Sequence, residues 1–132
     1  MNLNQEAMSE KLIMIADNMD ESLAVLSDIL RNANYKVVTA KNGFEVILHK
    51  DFDKVDLVLM DLQMPYLNGI VTTDIIRKKL EMIEKPIIIG FSKLELTKKN
   101  ATDLGMNDFL YKTYNMQVIL AKIRFWEEIN QH

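Results

Sequence analysis

The chain contains no cysteine. That excludes a disulfide framework and any thiolate metal centre. It also has no apolar run approaching the roughly 20 residues that a membrane-spanning helix needs. The first ten residues, Met1 to Glu10, are polar and unlike a signal peptide, so the cytoplasm is the expected compartment. Positive charge is not in excess: 16 basic against 19 acidic residues give a net charge of −3. Nonspecific nucleic-acid binding draws on neutralised phosphates and is not expected of such a chain. The short basic runs Arg77-Lys78-Lys79 and Lys98-Lys99 read as solvated helix faces. No repeat, low-complexity stretch or long linker divides the 132 residues, so one domain is expected.

What the chain does have is an alternation of two segment types. Short apolar runs occur at residues 12–16, 36–39, 55–60, 86–89 and 108–111. Their brevity and β-branched content predict strands. The first, third and fourth are apolar at nearly every position, as strands covered on both faces are. Between them, Leu23, Leu26, Leu30 and Ala33 recur at helical spacing and predict a helix over 20–33, with Asp20 as its N-terminal cap. Phe44, Ile47 and Leu48 mark a second helix, and Ile76, Leu80 and Ile83 a third. A polar fourth, about 95–104, closes at Gly105, where a C-cap glycine is expected. Met116, Ile119, Leu120 and Ile123 mark the inward face of a fifth. Five strand–helix repeats with right-handed crossovers make an α/β fold, a doubly wound parallel sheet with helices on both faces.

Ligands of such sheets bind beyond the carboxyl ends of the strands. The residues found there are Asp17 and Asn18 after strand one, Asp61 after strand three, Phe91 and Ser92 after strand four, and Lys112 after strand five. Acidic groups, a hydroxyl and a lysine therefore converge on one rim. Carboxylates there would repel one another unless a cation lay between them, and hard oxygen donors of this kind suit Mg²⁺. His49 and His132 have no spacing that suggests a metal site.

The segment Asp56-Leu-Val-Leu-Met-Asp-Leu-Gln-Met-Pro-Tyr-Leu-Asn-Gly69 resembles the phosphoacceptor segment of response-regulator receivers, and Gly105-Met-Asn-Asp-Phe-Leu-Tyr-Lys112 resembles their strand-five segment. The resemblance runs from Lys11 to about Glu128. It implies a flavodoxin-like five-stranded sheet of order 2-1-3-4-5, with residues 1–10 as an extension and 11–130 as the receiver. It also implies that Asp61 accepts a phosphoryl group from a histidine kinase or phosphotransfer protein. Asp17, Asp61 and the main-chain carbonyl of Gln63 would hold Mg²⁺, with Asn18 as a weaker candidate. Lys112 would pair with a phosphoryl oxygen. Ser92 would donate its hydroxyl after transfer, and Phe109 matches the switch aromatic. The implied role is signalling rather than turnover catalysis. With no output domain after helix five, the expectation is a stand-alone regulator acting by protein–protein contact.

Three positions depart from the family pattern. Asn18 stands where a second acid is usual, and Asp20, if it is not the helix cap, is close enough in sequence to compensate. Ser92 falls one residue late counted from Pro86, a slip that a bulge at Gly90 could absorb. Thr113 follows Lys112 where proline is usual, so a cis peptide there is not expected. These departures keep open a second reading, a pseudo-receiver that acts as an interaction module without phosphorylation. A phosphatase with an aspartate nucleophile is disfavoured, because Gln63 occupies the place of its second acid. Finally, Val118, Ala121, Phe125 and Ile129 form a second apolar stripe on helix five, opposite the first. Two alternatives stand for it: docking of a target or second copy through the helix 4–strand 5–helix 5 face, or cover by helix four or the first ten residues.

Overall fold

The computed structural model describes residues 11–129. The proposed extension, residues 1–10, lies outside them, as does the last residue of the proposed domain. Five strands, β1 (Leu12–Ala16), β2 (Lys36–Ala40), β3 (Leu57–Met60), β4 (Ile87–Ser92) and β5 (Asp108–Tyr111), form one sheet. All neighbours pair in parallel, in the order β2-β1-β3-β4-β5. The helices are α1 (Asp20–Asn32), α2 (Gly43–Ile47), α3 (Gly69–Asp74), α4 (Lys98–Asp103) and α5 (Met116–Ile129).

Side chains alternate across a strand, so each central strand feeds two cores. Ile13, Ile15, Leu57, Leu59, Ile87, Ile89 and Phe91 pack with Leu23, Leu26 and Leu30 of α1 and Ile119 and Ile123 of α5. Met14, Val58, Met60 and Ile88 face the other way, toward Val46, Ile76 and Ala101. The sheet is thus doubly wound, with α1 and α5 on one face and α2, α3 and α4 on the other. Both faces being covered is what makes β1, β3 and β4 read as unbroken apolar runs.

Several expectations at the helices need correction. Asp20 does not cap α1. The cap residue is Met19, whose amide is taken by the Asp17 carboxylate at 2.9 Å. Asp20 instead lies in the first turn, where its charge suits the helix dipole, and pairs with Lys41 at 2.8 Å. In α2, Phe44 and Leu48 are exposed, and Gly43 and Val46 face inward. Gly43 sets that rotation: a Cβ there would lie 1.9 Å from Thr72 Oγ1 and 2.7 Å from the Leu67 carbonyl.

Helix α3 begins at Gly69, where Asn68 caps it through Val71 N–H, and ends in a π-helical turn, Ile75–Lys79. Ile76 is buried, but Leu80 and Ile83 lie beyond the helix and are exposed. Arg77 explains the early stop. Its guanidinium donates to the carbonyls of Met82, Pro86 and Gly105 and to Asn107 Oδ1, all at 2.8–2.9 Å. The chain is drawn under this cation instead of continuing the helix. At the end of α4, Gly105 has φ +95°, the left-handed conformation expected of the residue after a helix. In α5 the inward face starts at Ile119. Met116, at the first turn, is exposed above the sheet rim.

Candidate functional site

The turns after β1, β3 and β5 bring Asp17, Asp61 and Lys112 together. Asp17 is 1% and Asp61 5% exposed, so both carboxylates are withdrawn from bulk water. Lys112 Nζ lies 2.5 Å from Asp17 Oδ2 and 3.4 Å from Asp61 Oδ2. Each carboxylate also closes its own turn: Asp17 Oδ1 accepts from Met19 N–H, and Asp61 Oδ1 accepts from Gln63 N–H, both at 2.9 Å. Every strand end involved is pinned by the sheet. Asp61 N–H donates to Ala16 O, and Lys112 N–H donates to Ser92 O.

Electrostatics follow from this burial. Burial, the largest influence, pushes the Asp61 carboxyl above the usual carboxylate range. The Gln63 amide and Lys112 pull it down, and the charge of Asp17 pushes it up again. Burial also opposes charge on Lys112, but its hydrogen bond to Asp17 and the field of Asp61 hold its pKa above the ordinary lysine value. The pocket therefore carries two acids and one ammonium, with one acid held at a cost.

Gly69 packs against the back of the Asp61 turn. A Cβ there would lie 2.2 Å from the Asp61 carbonyl oxygen, so only glycine lets α3 start so close to this turn.

The donor set fits a small hard cation. Two carboxylates and the exposed turn at Gln63 offer oxygen ligands, and Mg²⁺ typically takes one or two carboxylates and keeps several waters. Among the described residues there is no group of three acidic, histidine or cysteine side chains, which speaks against an all-protein cage. Asn18 is exposed at the mouth of the site.

Ser92 is the last residue of β4 and fully buried; its Oγ accepts from Leu94 N–H at 3.3 Å. Phe91 belongs to the α1–α5 core and offers nothing to the rim. No bulge at Gly90 is needed, since β4 pairs in continuous register with β3 and β5. Gly90 instead makes room: a Cβ would lie 2.9 Å from Met106 Sδ and 3.0 Å from Phe109 Cδ1. Phe109 is half-buried beside it. The peptide after Lys112 is trans; among the described residues the cis bond is Lys85–Pro86.

Away from this cluster, Asp56 sits at the opposite, N-terminal end of the strands, where it accepts from Leu12 N–H and pairs with Lys85 at 3.2 Å. Val118, Ala121, Phe125 and Ile129 are all exposed on α5. The Phe125 ring meets Trp126 edge to face at 5.4 Å. Two residues without any signal in the sequence pattern, Ser22 and Tyr114, join α1 to the loop after Lys112 through a 2.7 Å hydrogen bond. No helix among the described residues is long and apolar enough to cross a membrane.

Comparison with known proteins agrees with this geometry. The family model for the response regulator receiver domain matches residues 13–124. The chain is 32% identical over 124 residues to the CAI-1 autoinducer sensor kinase/phosphatase CqsS of Vibrio cholerae, covering 92% of this chain and 18% of that protein. Among solved structures, the chemotaxis protein CheY4 of Vibrio cholerae superposes with a TM-score of 0.78 at 19% identity, covering 88% of this chain and 98% of that one. The response regulator TrrA of Thermotoga maritima, solved in complex with Mg²⁺ and beryllofluoride, gives a TM-score of 0.73 at 26% identity, covering 86% and 96%. The chain belongs to the response regulator receiver domain family, the receiver domains of two-component systems.

Proposed function

We propose that this receiver works by phosphorylation at Asp61. A carboxylate oxygen of Asp61 attacks the phosphorus of a phosphohistidine on a histidine kinase or phosphotransfer protein. The O–P bond forms, the N–P bond breaks, and the imidazole keeps the electron pair. The convergence of Asp17, Asp61 and Lys112 in one buried cluster carries this reading. A carboxylate is a weak nucleophile toward a phosphoryl group that already bears negative charge, so the site must position and neutralise. Lys112 is within reach of Asp61 and would pair with a phosphoryl oxygen. Mg²⁺, held by Asp17, Asp61 and the Gln63 carbonyl, would supply the remaining neutralisation. Asn18 at the mouth would contribute at most an uncharged oxygen.

The new charge and acceptor oxygens would draw the Ser92 hydroxyl from Leu94 N–H and re-order the loop after β4. Phe109, beside Gly90, would then repack and report the change to the α4–β5–α5 face. Val118, Ala121, Phe125 and Ile129 would dock a downstream protein or a second copy there. The role is that of a cytoplasmic signalling switch, not a turnover enzyme. Whether it works alone or inside a longer kinase, as the relation to CqsS would allow, does not alter the chemistry.

The test is incubation with Mg²⁺ and acetyl phosphate, followed by intact-mass measurement beside Asp61→Asn. A gain of one phosphoryl group, absent from the variant, supports the switch. No gain, together with no Mg²⁺ binding, favours the pseudo-receiver. Asn18 and the restriction of the site to two carboxylates are the observations on that reading's side.

A further inference from the structure

Lys112 must project its ammonium into the site from a loop that has no proline to stiffen it. Thr113, next in the chain, keeps both soft backbone dihedrals. Three local contacts order this loop. Lys112 N–H donates to Ser92 O at 2.9 Å. Thr113 Oγ1 accepts from Asn115 N–H at 3.0 Å, and Asn115 Oδ1 accepts from Val118 N–H at 3.1 Å. All of these tie the loop to β4 or to its own helix. None ties it to the β1–α1 segment, whose turn carries Asp17, the closer partner of Lys112.

The Tyr114 hydroxyl does. It meets Ser22 Oγ at 2.7 Å, across 92 residues of sequence. Ser22 is fully buried in the first turns of α1, five residues after Asp17. The Tyr114 side chain is partly exposed, so burying the ring does not explain why it is held in place. The hydrogen bond does: a buried hydroxyl left without a partner is costly, and α1 offers one there. The loop is therefore anchored on both sides of the acid–lysine contact, to β4 through Lys112 N–H and to α1 through Tyr114.

We infer that Tyr114, acting through Ser22, is a positioning residue for Lys112, holding its ammonium against Asp17 and Asp61. The inference deepens the phosphoacceptor reading by naming what sets the reach of its lysine. The first readout of its test nevertheless does not depend on phosphoryl transfer.

The experiment is a double-mutant cycle of Ser22→Ala and Tyr114→Phe on the full chain, with two readouts. The first is the acylation rate of Lys112 Nζ by a water-soluble active ester without Mg²⁺, followed by peptide mass spectrometry with exposed Lys78 as internal reference. The second is the rate of phosphoryl uptake from acetyl phosphate with Mg²⁺. Each single variant should raise Lys112 acylation about fivefold, the weight of one neutral hydrogen bond, and slow phosphoryl uptake by a similar factor. The double variant should do no more than either single one, because both remove the same bond. Amide exchange in β1 and β3 should stay at the wild-type level, which separates positioning from general destabilisation. Unchanged Lys112 acylation in both single variants would overturn the inference, as would effects that multiply in the double. If acylation responds as stated while even the wild type takes up no phosphoryl group, the positioning role stands and the phosphoacceptor reading fails.

Discussion

The ammonium of Lys112 is shared unequally: it lies 2.5 Å from Asp17 and 3.4 Å from Asp61. One cation serves two buried carboxylates, and the more distant acid is the proposed nucleophile. Asp61 is thus the farther of the two from the cation, and burial pushes its carboxyl above the usual carboxylate range.

Removing the cation exposes that imbalance. Lys112→Met keeps the length and apolar stem of the side chain but leaves both acids unpaired. Breaking a buried pair from one side costs about 3–5 kcal/mol, and the low end applies at a sheet rim. Urea denaturation at neutral pH without divalent cations should show a loss of about 3 kcal/mol, part of which Mg²⁺ should restore. An unchanged midpoint would mean that the pair contributes nothing to the fold.

The raised pKa of Asp61 has a consequence of the opposite sign. An unfolded aspartate ionises near pH ~4, and the folded Asp61 ionises above that. Between the two values the folded state holds the extra proton, so the contribution of Asp61 to stability falls as pH rises through this window. Above the folded value its full cost is present. Asp61→Asn should therefore raise the melting temperature at neutral pH in EDTA by a few degrees and leave it unchanged at pH ~3. A variant less stable than wild type at neutral pH would contradict the assignment.

Asp108 should behave in the other direction. Burial alone would raise its carboxyl, but Trp126 N–H at 2.9 Å, Lys122 at 3.0 Å and the Phe109 amide hold it below the usual range. Its stabilisation is complete above the unfolded pKa and is lost as pH falls through the lower folded value. Asp108→Asn should cost about 1–2 kcal/mol at neutral pH and flatten the acid limb of the stability curve. The sole tryptophan, Trp126, reports the change by fluorescence.

Asn18 tests the metal. It is exposed beside Asp17, so an added charge there meets no packing obstacle. Asn18→Asp should tighten Mg²⁺ binding about tenfold, or 1.4 kcal/mol, after mutual repulsion of the acids offsets part of the attraction. Calorimetric titration measures it. Equal affinity in the two proteins would place the cation away from this corner.

The sheet was legible because its signal is local. Two-sided burial leaves β1, β3 and β4 apolar throughout, and the alternation of strand and helix dictates parallel pairing. The rim acids and lysine were legible because each directly follows a strand. Rotation of short helices was not. Gly43 turns α2 by close approach to Thr72 and Leu67, contacts that no periodicity encodes. The third helix stops before Leu80 because Arg77 is captured by carbonyls as distant as Gly105. Ser22 and Tyr114 were silent for the same reason. A serine in an amphipathic helix and a tyrosine in a loop acquire meaning only once the fold joins them. The slip at Ser92 dissolved once register was known: Phe91 and Ser92 face opposite sides of β4, and the hydroxyl falls at the strand end without a bulge.

The central claim is that Asp61 is the phosphoryl acceptor, and borohydride trapping tests it most directly. An aspartyl phosphate is a mixed anhydride that hydride reduces to homoserine, whereas a free carboxylate does not react. After incubation with acetyl phosphate and Mg²⁺, peptide mapping should find homoserine at position 61 and at no other aspartate, with none formed when Mg²⁺ is withheld. An unreduced Asp61, or a phosphoryl group recovered on another side chain, would contradict the account.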